Sequence, residues 1–338
     1  MDSKKHGKIG ILIINTGTPD EPSIEAIQRY LAEFLMDPMI ISVPRPIWRL
    51  ILNRFILPKR PKKTIESYRK IWTENGSPFI LTSQAQRELL AEELAKRGFN
   101  GGGFEVGLAM RYGSMSVEKA LSQLESAGCG AIVALPLFPQ ETRATVGTCL
   151  KKVRDELANA AKGGWKPELI EIPSYSDQRP YIDGMVELIE RQWSYEPGSK
   201  LLFSFHSTLV ADIEAGDPYC DQIESVTEAI ASRLGIASDD CAIGYQSRFD
   251  TRKWLKPSVE SVLARWVDAG AKNIAIAFPG FVADCIETLV EIPRVVEELR
   301  AANPAAREVE FTYVSALNES PQHIEALANA IEDAVSNS

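Results

Sequence analysis

Four residues in the second half of the chain have types and spacing that could do chemistry. His206 ends an apolar run, Lys200 to Phe205. Asp284, Glu287 and Glu291 follow a second apolar run, Ile274 to Phe278, after the break made by Pro279 and Gly280. At about 100° per residue, acids spaced three and four apart fall within roughly 60° of each other on one helix face. Ile286, Leu289 and Val290 point away from that face and are expected to pack. In open α/β sheets, ligand sites lie beyond the carboxyl ends of strands, where all four residues fall. One imidazole facing several carboxylates is a nitrogen and oxygen donor set with open positions. It suits a loosely held divalent ion better than a closed structural zinc site. It also suits proton removal, because a histidine beside carboxylates titrates near neutral pH. Each feature alone has a plainer reading: a solvated acidic face near a helix N-terminus, where the dipole favours it, and a structural histidine with satisfied nitrogens. Of the remaining histidines, His6 lies near the N-terminus, and His323 is expected at the surface in the first turn of the last helix.

The elements that must position these residues alternate. Lys8 to Asn15 predicts a strand, turned by Thr16-Gly17-Thr18-Pro19, and Ser23 caps a helix with an Ile27, Tyr30, Leu31, Phe34 stripe. A helix over 82–97, a strand over 104–110, a helix over 116–126, a strand over 130–135, a helix within 142–161 and a short strand over 168–172 follow. The pattern then restarts with a strand over 200–205, a helix over 221–234, a strand over 242–246 and a helix over 257–269. After Ile274 to Phe278 and its acidic helix come a strand over 308–314 and a helix capped by Ser320-Pro321. AGCGAIVALPLFPQ (127–140) resembles AGAKNIAIAFPGFVAD (269–284), and each follows a strand ending near an arginine, Arg111 or Arg248. The pattern predicts a duplicated βα unit: two similar α/β domains with parallel sheets and a ligand cleft between their strand ends.

Composition bounds the function. The 338 residues suit one large or two medium domains, and 45% hydrophobic with 25% charged residues is ordinary for a globular protein. A net charge of −9 argues against a general nucleic-acid binder. The opening MDSKKHGKIGILIIN predicts a first strand rather than a signal peptide, and no apolar run reaches the roughly 18 residues of a membrane span. The cysteines Cys129, Cys149, Cys220, Cys241 and Cys285 are scattered, with no CxxC pair, which points away from a disulfide framework or a structural zinc site and toward a reducing cytoplasm. No GxGxxG, GxxxxGK[ST] or GxSxG motif appears, so no nucleotide is expected.

One stretch is unusual. Between Pro46 and Pro58 lie Ile47, Trp48, Leu50, Ile51, Leu52, Phe55, Ile56 and Leu57, with few polar residues between them. From Arg45 to Lys70 there are nine Lys or Arg residues and one acid, Glu66, inside an acidic protein. This is either an apolar lip or interfacial helix that favours an anionic partner, a carboxylated ligand or a lipid headgroup, or a core helix with a solvated basic edge.

The motifs LIINTGTPDEP (12–22), ENGSP (74–78), AMRYG (109–113), LPLFPQ (135–140), FSFH (203–206), GDPY (216–219), QSRF (246–249), WLKP (254–257), PGFVADCIETLVEI (279–292) and ALNESPQHI (316–324) run in order over nearly the whole chain. Together they resemble the bacterial ferrochelatase family. The resemblance implies two chelatase-type (Rossmann-like) domains, each a four-stranded parallel sheet flanked by helices, over 1–175 and 176–338. It implies insertion of ferrous iron, as substrate, into protoporphyrin IX with release of two protons. Coproporphyrin III chelation, a chelatase for cobalt or nickel, or a non-catalytic porphyrin or haem carrier are the alternatives. By motif match, His206 and Glu287 are the catalytic pair, with Asp284 and Glu291 alongside them as metal ligands. Arg111, Tyr112, Trp254, Thr16 and Phe281 fall on porphyrin-pocket positions. The lip over 47–57, Trp48 and Leu52 included, is of the type that takes protoporphyrin and touches membranes from the cytoplasmic side. No iron–sulfur cluster is expected. Three features depart from the family pattern: Ser207-Thr208-Leu209 after the histidine, Glu141 after LPLFPQ, and Val295 where a further acid often stands.

Overall fold

The computed structural model describes residues 7–248 and 251–338; His6 and Phe249, the end of the QSRF motif, lie outside the described residues. By internal contacts the chain divides into two units, one of residues 1–137, 143–173 and 327–338, the other of 138–142 and 174–326. A cut near residue 175 misses two short exchanges: the loop 138–142 groups with the second unit and the tail 327–338 with the first.

The first unit holds strands β1 (Ile9–Asn15), β2 (Phe104–Met110), β3 (Ala131–Pro136) and β4 (Glu168–Glu171) in the order β2-β1-β3-β4, all parallel. The second holds β5 (Ser199–His206), β6 (Cys241–Gln246), β7 (Asn273–Ala277) and β8 (Glu310–Tyr313) in the equivalent order β6-β5-β7-β8, again parallel. The duplication expected from the repeated segment is thus present in topology. The inner strands are buried along nearly their whole length, as parallel sheets covered on both faces require. In each unit the strands are added first to one side and then to the other of the first strand, so the switch point lies between the first and third strands, whose carboxyl ends are where such sheets bind ligands.

Helices fill the connections. In the first unit these are α1 (Ile24–Leu35), α2 (Arg45–Ile51), α3 (Arg60–Ile71), α4 (Pro78–Lys96), α5 (Val117–Ser126) and α6 (Thr148–Ala160). Then come α7 (Arg179–Gln192), α8 (Val210–Glu214), α9 (Tyr219–Arg233), α10 (Val259–Asp268), α11 (Ile292–Ala302) and α12 (Pro321–Ser336). The caps read from sequence hold: Ser23 Oγ accepts from Ala26 N at 3.1 Å and Ser320 Oγ from His323 N at 3.3 Å. Ser116 and Ser258 also cap the equivalent helices α5 and α10. The second core joins Leu202, Ile274 and Ile276 to Val262, Leu263 and Trp266 of α10 and Val295 and Val296 of α11. Each such side chain contributes roughly 1.5–3 kcal/mol by leaving water.

Two expectations fail here. The chain after Pro279 is not one helix: it runs without helix or strand to Cys285, turns helical at Ile286, makes a π turn over Glu287–Glu291, and then enters α11. The wider turn shifts the side-chain register, so Leu289 is 44% exposed instead of packing. His323 is not at the surface either. It is fully buried, because its ring stacks on Tyr175 and its Nδ1 meets the Asn318 carbonyl at 2.8 Å.

Candidate functional site

His206 is the last residue of β5, paired in register with Gln246 of β6, at the carboxyl end of the second unit's first strand. It is half-buried, and Tyr219 Oη donates to its carbonyl at 3.0 Å. Its Nδ1 lies 2.7 Å from Ser207 O, a carbonyl that can only accept, so Nδ1–H donates there and Nε2 is the ring nitrogen this bond leaves unused. The loop that follows lacks the family's glycine and proline but is well held. Ser207 N donates to Gln246 O at 2.8 Å, and Ser207 and Thr208 are buried. Val210 N to Lys253 O and Leu255 N to Thr208 O bond the loop to the segment bearing Trp254. Trp254 is therefore buried against the loop after the histidine, with the Arg252 guanidinium 5.6 Å from its ring centre.

The π turn carries the acids. β7 pairs with β5, so the first and third strands of this unit are neighbours. Glu287 and Glu291 are half-buried, four residues apart on a turn closed by Ile292 N to Glu287 O. Burial raises the Glu291 carboxyl above its usual range, and the Glu287 carboxylate adds to this. The Ser247 hydroxyl, donating at 2.9 Å, and the charges of His206 and Arg294 pull the other way without cancelling it. Glu291 thus feels both Glu287 and His206, so three of the four residues singled out from sequence act in one electrostatic neighbourhood. Desolvation and Glu287 push the Cys285 thiol well up, which keeps it protonated.

Asp284 is taken up differently from the expected metal ligand. Its Oδ2 accepts from Asn318 Nδ2 at 2.9 Å, and its Oδ1 from Thr288 Oγ1 at 2.9 Å and Ala316 N at 3.2 Å. Among the described residues no group of three or more His, Cys, Asp or Glu side chains is gathered closely enough to hold a metal ion. Phe281 packs edge-on against Phe278 at 6.1 Å, part core and part surface.

In the first unit Arg111 is not a free cation. It pairs with the buried Asp37, and its Nε donates to Thr148 Oγ1 at 2.8 Å. Tyr112 Oη and Thr148 Oγ1 also donate to Asp37, at 3.0 and 2.7 Å. Burial alone would raise Asp37. The hydrogen bonds from Thr148, Met39 N and Tyr112 and the charge of Arg111 outweigh it and hold the carboxyl below its usual range. The resemblance puts Arg111 on a porphyrin-pocket position; the acid that captures it, Asp37, lies 74 residues away in sequence. Thr16 is half-buried at the end of β1, where its carbonyl accepts from Tyr112 N at 3.0 Å. The next residue must be glycine, since a Cβ on Gly17 (φ +99°) would lie 2.1 Å from Tyr112 O.

Three motifs converge on one cavity of about 270 Å³ in this unit: Thr18, Pro19 and Asp20 from the first, Asn75, Gly76 and Ser77 from ENGSP, and Met110 and Tyr112 from AMRYG. Trp72, Ile80 and Leu81 complete an apolar wall. The sequence reading named Tyr112 but missed Trp72 and Ser77, though the ENGSP motif pointed to the turn that presents them. It also missed Ser247 and Gln246, which hold the acid turn from the end of β6.

The lip divides into two faces. Leu52, Leu57 and Ile65 pack against Ile27, Leu31 and Leu35 of α1, and Trp48 Nε1 donates to Leu35 O at 2.6 Å. Trp48 and Leu52 therefore anchor the segment rather than face outward. The outward residues are Ile47, Leu50 and Phe55, which are 56%, 68% and 59% exposed.

Comparison with known proteins agrees with this arrangement. The family model for ferrochelatase matches residues 8–335. A ferrochelatase of Nitrosococcus oceani is 37% identical over 96% of this chain and 86% of its own. One of Bordetella pertussis is 38% identical over 96% and 88%, and ferrochelatase 2 of Shewanella oneidensis is 37% identical over 98% and 99%. Among solved structures, the cobalt complex of the sirohydrochlorin chelatase SirB of Bacillus subtilis aligns over 98% of this chain and 96% of its own. That alignment has a TM-score of 0.55 at 11% identity, a likeness of fold.

Proposed function

The chain belongs to the ferrochelatase family, and we propose that it inserts ferrous iron into protoporphyrin IX, releasing two protons, with His206 and Glu287 in the chemistry. The observation that carries the assignment of residues is the bond that orients His206: Nδ1 donates to Ser207 O, which leaves Nε2 for proton exchange, while Glu291 feels the charges of both His206 and Glu287. A porphyrin's inner nitrogens are poorly basic and shielded in a flat ring. Binding energy from an apolar cleft can bend the ring, and a base at the N–H groups can then take the protons. Glu291, held above the usual carboxylate range, suits the next position for a departing proton. The first unit's cavity, with its apolar wall of Trp72, Ile80 and Leu81, is slightly smaller than the roughly 300–1,000 Å³ typical of small-molecule sites.

The lip suits a membrane surface. Ile47, Leu50 and Phe55 face outward beside the basic residues of 45–70, a pairing that favours insertion into an anionic interface. No helix among the described residues is long and apolar enough to cross a membrane, and the attachment proposed for the lip is a peripheral one.

The test is an anaerobic insertion assay with ferrous iron and either protoporphyrin IX or coproporphyrin III. His206→Ala should lower kcat by about 10²- to 10⁴-fold while porphyrin still binds. Faster turnover with coproporphyrin would replace the substrate. Tight binding without turnover by the wild type would replace the enzyme with a porphyrin carrier.

A further inference from the structure

The acids of the second unit sit on a segment with little regular structure. From Phe278 to Cys285 no helix or strand holds the chain, and the π turn that follows Ile286 is a rare and local form. A slip of one residue would rotate Glu287 by about 100° on a helical path. Something must fix the register, and the structure shows a closed circuit of contacts around the segment.

At the turn itself, Asp284 and Asn318 clamp each other. Asp284 N donates to Asn318 Oδ1 at 2.8 Å, and Asn318 Nδ2 donates to Asp284 Oδ2 at 2.9 Å. The other Asp284 oxygen accepts from Thr288 Oγ1 at 2.9 Å, and Thr288 is the buried neighbour of Glu287 inside the π turn. Asn318 is itself held in the left-handed region, at φ +47°, and its carbonyl accepts from His323 Nδ1 at 2.8 Å. His323 Nε2 faces Tyr175 Oη at 3.4 Å, and the two rings stack. Tyr175 packs edge-on against Tyr181, whose hydroxyl donates to Pro279 O, where Gln140 Nε2 also donates at 3.2 Å. The circuit therefore grips the segment at Pro279 and again at Asp284 and Thr288. It also explains the ALNESPQHI motif, which no part of the chemistry uses.

We infer that Asp284, Asn318 and His323 are positioning residues that set the register of the π turn and so aim Glu287 and Glu291. This rests on the assignment of those two acids to iron insertion. Asp284 then acts through Thr288 and Asn318 and does not touch the metal.

The deciding experiment exchanges the clamp. Asp284→Asn puts two amides face to face and should lower kcat about 10- to 100-fold, with KM for porphyrin changed less than about threefold. The double variant Asp284→Asn with Asn318→Asp restores a complementary pair without a carboxylate at 284, and should recover kcat to within about fivefold of wild type. A double variant that is folded by thermal unfolding but no more active than Asp284→Asn would overturn the inference and return Asp284 to the metal. A second readout needs no turnover: amide exchange at Ile292, which closes the π turn, should quicken at least about tenfold in Asp284→Asn and in His323→Phe, and return to near wild type in the exchanged pair. Unchanged exchange and unchanged turnover in Asp284→Asn would also overturn it. Absence of insertion by the wild type would instead sink the proposed function, leaving the exchange result to judge the clamp alone.

Discussion

Replacing His323 should change how stability depends on pH. Burial pushes this imidazole down to about 4, against 6.5 for an unhindered histidine, with only the Asn318 carbonyl acting in the other direction. Its facing neighbours are the phenols of Tyr175 and Tyr181, which stay neutral across the acid range. The unfolded chain therefore binds a proton here between about pH 6.5 and 4 that the folded chain does not. Stability is full above the unfolded value and falls as the pH drops through that window. For values of about 4 and 6.5, the loss from pH 7 to pH 5 is about 2 kcal/mol. His323→Asn removes the titration and offers its amide to Asn318 O in place of Nδ1. Urea unfolding followed by fluorescence at pH 7, 6 and 5 gives the difference between the two proteins, in which the other titrating groups largely cancel. The wild type should lose about 2 kcal/mol more than the variant over that range. Parallel stability curves would mean that His323 is protonated or hydrated in the folded state, and that its buried neutral form is wrong.

Two further outcomes follow from the first unit. Exchanging Ile47, Leu50 and Phe55 for serine should weaken binding to vesicles rich in anionic lipid by about tenfold or more at unchanged stability, whereas Leu52→Ala, which empties a core position, should cost about 2–5 kcal/mol in unfolding. Vesicle binding by the triple variant equal to wild type would remove the membrane role of the lip. Asp37→Asn should destabilise the unit by about 3 kcal/mol, because it leaves the half-buried Arg111 uncompensated. Since Asp37 is held low, its contribution is complete above the usual carboxylate range and is lost as pH falls through the depressed value. A loss under 1 kcal/mol at pH 7 in a urea titration would show that Arg111 finds another partner.

The sequence by itself determined the succession of strands and helices: apolar runs bounded by Gly and Pro, Ser caps at 23 and 320, and a repeat that the two parallel sheets reproduce. These features are local, set by a few neighbouring side chains, so they can be read from one stretch of chain. It also brought out His206, Glu287 and Glu291, because residue type and position at a strand end are visible without coordinates. Only the tertiary structure decided what each polar group is bonded to. Asp284 and Glu287 look alike along the chain, but Asn318, 34 residues further on, takes up the first. Arg111 looks like a free cation until Asp37 is beside it, and His323 looks exposed until Tyr175, 148 residues earlier, covers it. The same holds for the lip, where α1 selects Leu52 as inward and leaves Leu50 to water. Helix spacing says which residues share a face. Only the folded chain says which face another element has already claimed, since burial and charge pairing depend on segments brought together from far apart in sequence.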